Sequence, residues 1–132
     1  RIIHRSSKKL IKKLPNRPLT NIDIQEHARD IPHFRGVYMK DQLPRKPKQI
    51  ECGVVNLDDS KNEGTHWVAY VKVSDYCEYF DSYGDLKPPI ELMRYFKNCR
   101  VYYNYTRYQN FNTVNCGHLC LEYLWKFWNK NV

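Results

Sequence analysis

The sequence lacks the features that mark membrane-spanning, secreted and disulfide-rich proteins. No uninterrupted apolar run approaches the length of a membrane span, and the chain does not open with the basic and then apolar segments of a signal peptide. The five cysteines are an odd number, and no two of them form a CxxC pair. This pattern argues against a disulfide framework and indicates free thiols in a reducing compartment. We therefore expect a protein that is neither secreted nor membrane-bound.

Acidic residues are absent from the first twenty positions, whereas seven lysines and arginines lie there and supply +7 of the net charge of +8. We interpret residues 1–20 as a basic leader or linker and residues 21–132 as one globular domain, for which the 42% hydrophobic content suffices. A basic leader can bind a polyanion such as DNA, because each phosphate contact releases counterions. A solvated terminal arm is an equally good interpretation. The first residue is Arg rather than Met, which indicates a fragment or a processed product.

The hydrophobic pattern predicts three helices and four strands. Apolar residues recur at helical spacing over residues 22–31, 88–96 and 116–128. Runs of β-branched and aromatic residues predict strands over residues 51–57, 66–73, 76–84 and 100–105. The stretch from residue 33 to 47 contains Gly36, Pro44 and Pro47 and is typical of an irregular surface segment. Together these elements predict an α+β fold in which helices frame a small antiparallel sheet.

The last predicted helix begins at a cysteine. The polar run QNFNTVN ends at Cys116 and Gly117, and the apolar helical pattern follows at once. A thiol at a helix N-terminus lies beside unsatisfied backbone N–H groups at the positive end of the helix dipole, which lowers its pKa and favours the reactive thiolate. We expect Gly117 to leave room for an approaching electrophile. Cys116 is therefore a candidate nucleophile.

Two other roles for Cys116 have to be weighed. It can be an inert buried thiol, the role that Cys120 is expected to have on the apolar face of the same helix. It can also bind zinc together with His118 and Cys120. However, residues at positions i, i+2 and i+4 of a helix do not point at one ion, and the sequence offers no second ligand pair. We therefore expect no metal site.

A nucleophilic thiol needs a base, and the base needs an acid that orients it. Among the five histidines, His66 opens a predicted central strand, where a rigid sheet can present it. His118 is two residues from Cys116 and points to a different side of the helix. Asp81 follows the apolar part of the neighbouring strand, and a hairpin brings these two strand ends together. A contact between His66 and Asp81 is therefore expected, although Asp81 can instead be a turn residue ahead of Gly84.

The oxyanion of a tetrahedral intermediate also needs hydrogen-bond donors. The backbone N–H of Cys116 is one candidate. The side-chain amide of Gln109, seven residues upstream in the polar run, is the other. The candidate catalytic set is therefore His66, Asp81, Gln109 and Cys116.

The motifs GTHW, YFDSYG and Q-x6-CG, in the order His, Asp, Gln and Cys, resemble the adenovirus protease (adenain) family of cysteine peptidases. SUMO-specific and related ubiquitin-like proteases are more distant relatives with the same order, whereas papain-like enzymes place Cys before His. The resemblance extends over residues 22–128 and has two departures. Asp81 stands where the adenovirus enzymes usually have Glu and SUMO proteases have Asp. Asn115 stands where SUMO proteases usually have Asp.

The resemblance implies a peptidase fold of the adenain and ubiquitin-like-protease type. It implies that His66 is the general base, that Asp81 orients it, that Cys116 attacks the substrate and that Gln109 holds the oxyanion. The implied substrate is a viral or virus-like-transposon capsid precursor cleaved at Gly-containing sites during virion maturation. The implied location is the virion or the nucleus or cytoplasm of the host.

The family resemblance also bears on partners. The chemistry requires no cofactor, but the family implies activation by DNA, here through residues 1–20, and by a peptide that can form a disulfide near Cys99. We expect the protein to be a monomer. Two alternatives are an isopeptidase that removes a ubiquitin-like modifier and a nucleic-acid-binding protein whose thiol is structural.

Overall fold

The structure is a computed structural model that describes residues 14–58, 66–108 and 115–129. Residues 1–13, which hold six of the seven basic residues of the predicted leader, lie outside the described residues. The described elements follow in the order α1 (Asn21–Ala28), β1 (Phe34–Met39), β2 (Ile50–Asn56), β3 (Trp67–Val73), β4 (Tyr76–Phe80), α2 (Ile90–Tyr95), β5 (Arg100–Tyr103) and α3 (Cys116–Asn129).

The five strands form one mixed sheet in chain order. Strand β3 is antiparallel to both β2 and β4, whereas β1 is parallel to β2 and β5 is parallel to β4. The predicted α+β class is confirmed, but the prediction of an antiparallel sheet is wrong at both edges. Parallel neighbours need a long crossover connection rather than a hairpin. The chain between β1 and β2 and the chain between β4 and β5, which contains α2, supply these crossovers.

Strand β1 lies in the segment that the sequence predicted to be irregular. Its register against β2 shifts between Phe34 and Gly36, so the glycine marks an irregularity within the strand and does not end it. The two prolines of the segment, Pro44 and Pro47, lie in the connection that follows. The prediction is therefore wrong for the first half of the segment, because one glycine was taken as the sign of a loop.

Each of the three predicted helices is present among the described residues, although their ends differ from the prediction. Helix α1 begins after Thr20, whose side chain accepts a hydrogen bond from the backbone of Asp23 while the Asp23 carboxylate accepts one from the Thr20 N–H. This capping box fixes the start of the helix. Helix α1 ends at Ala28 rather than at residue 31, and α3 begins at Cys116 as predicted. None of the described helices is long and apolar enough to cross a membrane.

Helices cover both faces of the sheet. Between the sheet and helices α1 and α3 lies one core, which includes Val54 and Leu121. A second core lies between the sheet and α2, and it includes Val55 and Leu92. Neighbouring residues of β2 point into different cores, so its buried residues do not alternate with exposed ones.

The end of the predicted leader packs against the domain. Leu14 and Leu19 are buried in the core beneath α1 and α3. The carbonyl of Pro15 accepts a hydrogen bond of 2.6 Å from Nε2 of His118, and the carbonyl of Leu19 accepts one of 2.9 Å from Nε1 of Trp67. Whether a separate leader ends at residue 20 stays a prediction, but its described part contributes to the core.

A buried carboxylate ties α2 to the sheet. Glu51 is fully buried, and its Oε1 accepts hydrogen bonds from Nη1 of Arg35 at 2.8 Å and from the N–H of Lys48 at 2.6 Å. Its Oε2 accepts hydrogen bonds from the hydroxyls of Tyr70 at 2.5 Å and Tyr95 at 2.8 Å. A buried charge is strongly destabilising unless donors surround it, and here four donors do so. The network therefore fixes the end of the sheet at which β2 begins.

Candidate active site

Three of the four candidate catalytic residues lie at the other end of the sheet. His66 immediately precedes β3, and Asp81 immediately follows β4. Because β3 and β4 are antiparallel, the start of one strand lies beside the end of the other. Cys116 is the first residue of α3, which packs on this sheet. Gln109, the fourth candidate, lies outside the described residues.

His66 and Asp81 form a buried hydrogen bond of 2.7 Å between Nε2 and Oδ1. Only 7% of His66 and 1% of Asp81 are exposed, so water competes little for this bond. The same Oδ1 accepts a hydrogen bond of 3.0 Å from the backbone N–H of Tyr83, and the Asp81 carbonyl accepts one of 2.9 Å from the N–H of Gly84. Asp81 is thus a turn residue and the partner of His66 at once.

The hydrogen bond to Asp81 leaves Nδ1 of His66 as the ring nitrogen for proton transfer. Nδ1 is buried and has no hydrogen-bond partner of normal geometry among the described residues. Cys116 nevertheless lies close enough to interact with the ring. Burial lowers the pKa of His66, but hydrogen bonding to Asp81 and Cys116 and the negative charge of both outweigh burial and raise the pKa to about 9.

The pKa of the Cys116 thiol shifts in the opposite direction. Burial raises it, but the neighbouring His66 and the backbone N–H groups of Trp67 and Gly117 stabilise the thiolate and bring the pKa below its ordinary value. Cys52 shows the reverse result: burial outweighs the hydrogen bond that its sulfur accepts from Trp128 and raises the pKa of this thiol to about 12. The pair therefore favours an imidazolium beside a thiolate.

Helix α3 begins at the residue that carries the thiol. Among the described residues, its hydrogen bonds start with the one from the N–H of Leu119 to the carbonyl of Asn115 at 3.0 Å. The N–H groups of Cys116, Gly117 and His118 precede this bond and lie at the positive end of the helix dipole. The N–H of Cys116 is therefore still a candidate donor to an oxyanion.

Gly117 has a different role from the one predicted. A Cβ atom at this position would lie 3.1 Å from Cβ of Leu19 and 3.3 Å from Cδ1 of Trp67. The glycine therefore lets the first turn of α3 pack closely against these two side chains. The prediction that Gly117 leaves room for an electrophile is wrong, because a side chain at this position would point into the interior, toward Leu19 and Trp67.

Two residues that the sequence analysis did not single out complete the site. The Tyr83 ring stacks on the His66 ring with centroids 4.2 Å apart and planes at 5°. The Asn104 side chain binds both backbone groups of Asp81, since Oδ1 accepts from the Asp81 N–H at 2.9 Å and Nδ2 donates to the Asp81 carbonyl at 2.7 Å. Asn104 therefore holds Asp81 in place, and Tyr83 covers one face of the imidazole.

We expect Asn104→Ala to lower the pKa of His66 from about 9 toward its ordinary value. Without the two hydrogen bonds, the Asp81 backbone loosens and its carboxylate no longer stays aligned with the ring. The same change costs about 1–3 kcal/mol of folding free energy, because polar backbone groups lose their partner. An NMR titration of the His66 imidazole measures the pKa. The exposed Asn98→Ala is the matched control, and an unchanged His66 pKa in Asn104→Ala contradicts this positioning role.

The site offers no metal centre within the part of the chain that the structure describes. No group of three or more His, Cys, Asp or Glu side chains there has the geometry to hold a metal ion. Cys120 is fully buried in the core, and the side chain of His118 is bonded to the carbonyl of Pro15. Neither side chain joins Cys116 around a common point.

The chemical capacity of the site follows from these contacts. A thiol of lowered pKa lies next to an imidazole, and a buried carboxylate orients that imidazole. Such a set can deliver a sulfur nucleophile and transfer a proton. No protein-family model matches the chain, and no curated protein matches it.

Proposed function

We propose that the protein is a cysteine endopeptidase. The observation that supports this best is the buried hydrogen bond between His66 and Asp81 beside the Cys116 thiol, whose pKa is lowered. An inert thiol in a core needs neither a base nor an acid. The fully buried Cys120, one turn further along the same helix, has a thiol pKa far above its ordinary value.

In the proposed reaction, the Cys116 thiolate attacks the carbonyl carbon of the scissile peptide bond and pushes an electron pair onto the carbonyl oxygen. The imidazolium of His66 then gives its Nδ1 proton to the leaving amine, and the C–N bond breaks to leave a thioester. A water molecule next loses a proton to Nδ1 and attacks the thioester. This step releases the carboxylic acid and restores the thiolate beside the imidazolium.

The remaining groups have supporting roles. Asp81 holds Nε2 of His66 and thereby keeps Nδ1 directed at the sulfur and stabilises the imidazolium. The N–H of Cys116 serves as one donor to the oxyanion, and we propose the amide of Gln109 as the other. Loss of one such donor typically raises the barrier by about 3 kcal/mol.

The substrate class rests on the resemblance to adenain. We propose proteins with Gly near the cleaved bond, and a viral or transposon capsid precursor as the natural substrate. An isopeptidase for a ubiquitin-like modifier is the second candidate, because Asp81 matches the acid of the SUMO-protease branch. Cleavage of a modifier conjugate, with a capsid precursor left intact, would favour this second candidate.

We expect iodoacetamide to label Cys116 at neutral pH at least about tenfold faster than Cys52 or Cys77. The reason is that the Cys116 thiol has a lowered pKa, whereas burial raises the pKa of the Cys52 thiol to about 12 and also raises that of Cys77. Mass spectrometry of peptides after timed labelling gives the rate at each cysteine.

The pH dependence of labelling separates reactivity from exposure. If Cys116 is activated, its rate stays high as the pH falls below the ordinary thiol pKa, and His66→Ala slows Cys116 without changing Cys52 or Cys77. Equal labelling rates at the three cysteines, or no effect of His66→Ala, would contradict an activated nucleophile and with it the proposed function.

A further inference from the structure

A cavity of about 710 Å³ opens at the end of the sheet opposite His66. Its lining comes from four places: the loop before β2, the end of β3 with its turn into β4, the last turn of α2 and the loop that follows α2. At about 3.3 Å per residue, β3 separates this cavity from the His66 end by about 20 Å. A ligand here is therefore too far from Cys116 to be its substrate.

Positive charge converges on this cavity. The ionisable side chains in its lining, apart from Tyr95 and Cys99, are Arg45, Lys46, Lys72, Arg94, Lys97 and Asp75. Five of these six are cations, and none of the five forms an ion pair with a carboxylate of the described residues. Similar charges that gather in a concavity repel one another unless an anion joins them.

One of the five cations, Lys72, is buried in the folded core, whereas the other four are exposed at the surface. Only 8% of this lysine is exposed, and its Nζ donates to the carbonyls of Lys48 at 2.8 Å and Gln49 at 3.2 Å. These two neutral acceptors leave one of the three ammonium N–H groups without an acceptor among the described residues. Glu51 is the partner of Lys72 in the sheet, but its carboxylate pairs with Arg35, and no carboxylate of the described residues lies within ion-pair distance of Nζ. Burying a charge is costly unless an opposite charge pairs with it, so the site favours an anion beside Lys72.

We propose that this cavity binds a compact polyphosphate, a small molecule that carries several phosphate groups on one scaffold. Its volume lies within the range of small-molecule sites. Arginine and lysine recognise phosphate oxygens through charge-assisted hydrogen bonds, and several phosphates are needed to balance five cations. A concavity to which separate segments of the chain contribute cations fits a compact anion better than an extended nucleic-acid strand. This binding site does not depend on the proposed peptidase activity.

Isothermal titration calorimetry on the full chain tests the proposal, with inorganic tripolyphosphate, ATP and inositol hexakisphosphate as probes. The measurement uses about 0.15 M salt, where the Debye length is about 8 Å and diffuse attraction is largely screened. We expect tripolyphosphate to bind. Of ATP and inositol hexakisphosphate, the one that binds more tightly identifies whether the phosphates of the natural ligand are carried on a nucleoside or on a ring polyol. The double variant Arg94→Gln and Lys97→Gln should weaken binding at least about tenfold.

The matched control removes the same charge elsewhere. Arg29→Gln with Lys87→Gln neutralises two exposed cations that do not line the cavity, and its affinity should stay within about twofold of the unmodified chain. Lys72→Met is a third variant that probes the buried ammonium. Because Arg94 and Lys97 are exposed, their replacement does not threaten folding even if Lys72→Met does.

Three results would overturn the proposal. The first is no binding of any probe at millimolar concentration. The second is equal weakening by the Arg94/Lys97 variant and its control, which indicates attraction to overall charge only. The third is tighter binding of a short single-stranded oligonucleotide than of any probe, lost in the Arg94/Lys97 variant, which would assign the cavity to nucleic acid.

Discussion

We expect the replacement of Cys116 by Ala to abolish the proposed peptide hydrolysis while the fold stays intact. The expected loss in kcat is about 10⁴-fold or more, because the attacking sulfur is gone and nothing else in the site can form the acyl intermediate. The fold should survive, since alanine suits the first turn of a helix and the thiol contributes little packing volume. Hydrolysis of a fluorogenic peptide with Gly before the scissile bond measures the activity, and circular dichroism with a melting curve measures the fold.

The control for this variant is Cys120→Ala. It makes the same substitution in the same helix, but the Cys120 thiol is fully buried in the core. We expect lower stability and unchanged hydrolysis per folded molecule. If Cys116→Ala retained more than a few per cent of the activity, the proposed nucleophile would be wrong even if the protein is a hydrolase.

Asp81→Asn should reduce kcat/KM by about 10³-fold to 10⁴-fold and narrow the pH range of activity. The active pair needs a thiolate and a protonated imidazole. Activity is therefore lost as the pH falls through the pKa of Cys116, and lost again as the pH rises through the His66 pKa of about 9. Asp81 raises the pKa of His66, so its loss moves the alkaline limb to lower pH. An imidazole of lower pKa is protonated less often and therefore stabilises the Cys116 thiolate less. The pKa of Cys116 then rises, which moves the acid limb to higher pH.

A kcat/KM profile between about pH 5 and pH 10, a range that spans the ordinary histidine and cysteine pKa values, measures both limbs. Asp85→Asn is the matched control, because Asp85 is exposed and the described hydrogen bond and ion pair of Nε2 of His66 go to Asp81 instead. Asparagine also tolerates the positive φ of 52° found there. An unmoved alkaline limb in Asp81→Asn would mean that His66 is not the titrating base.

Local sequence pattern predicted the elements of the fold better than their arrangement. Strands β2 and β3 are buried along almost their whole length because both faces of the sheet are covered, and their β-branched and aromatic residues are easy to find in the sequence. Strand β1 is short, half-buried and interrupted by Gly36, which gives it the pattern of a loop. The parallel pairing at both edges depends on crossover connections, and no local pattern encodes the direction in which a strand pairs.

The sequence pattern identified those residues of the candidate site that lie at the ends of helices and strands. His66 precedes a strand, Asp81 follows one and Cys116 begins a helix, and each position shows as a change of pattern in the sequence. Asn104 leaves no such sign, because it acts on the backbone of Asp81 from 23 residues away. Tyr83 lies within the YFDSYG motif, but its stacking on His66 depends on the turn that follows β4.

The packing of Leu14 and Leu19 bears on how this protein is produced and trimmed. These two side chains and the carbonyls of Pro15 and Leu19 support Trp67 and the first turn of α3 from below. A recombinant or naturally cleaved product that begins at residue 21 lacks these contacts, which lie next to the helical turn that carries the Cys116 thiol. If the proposed activity is correct, proteolysis between residues 14 and 20 would therefore inactivate the protein.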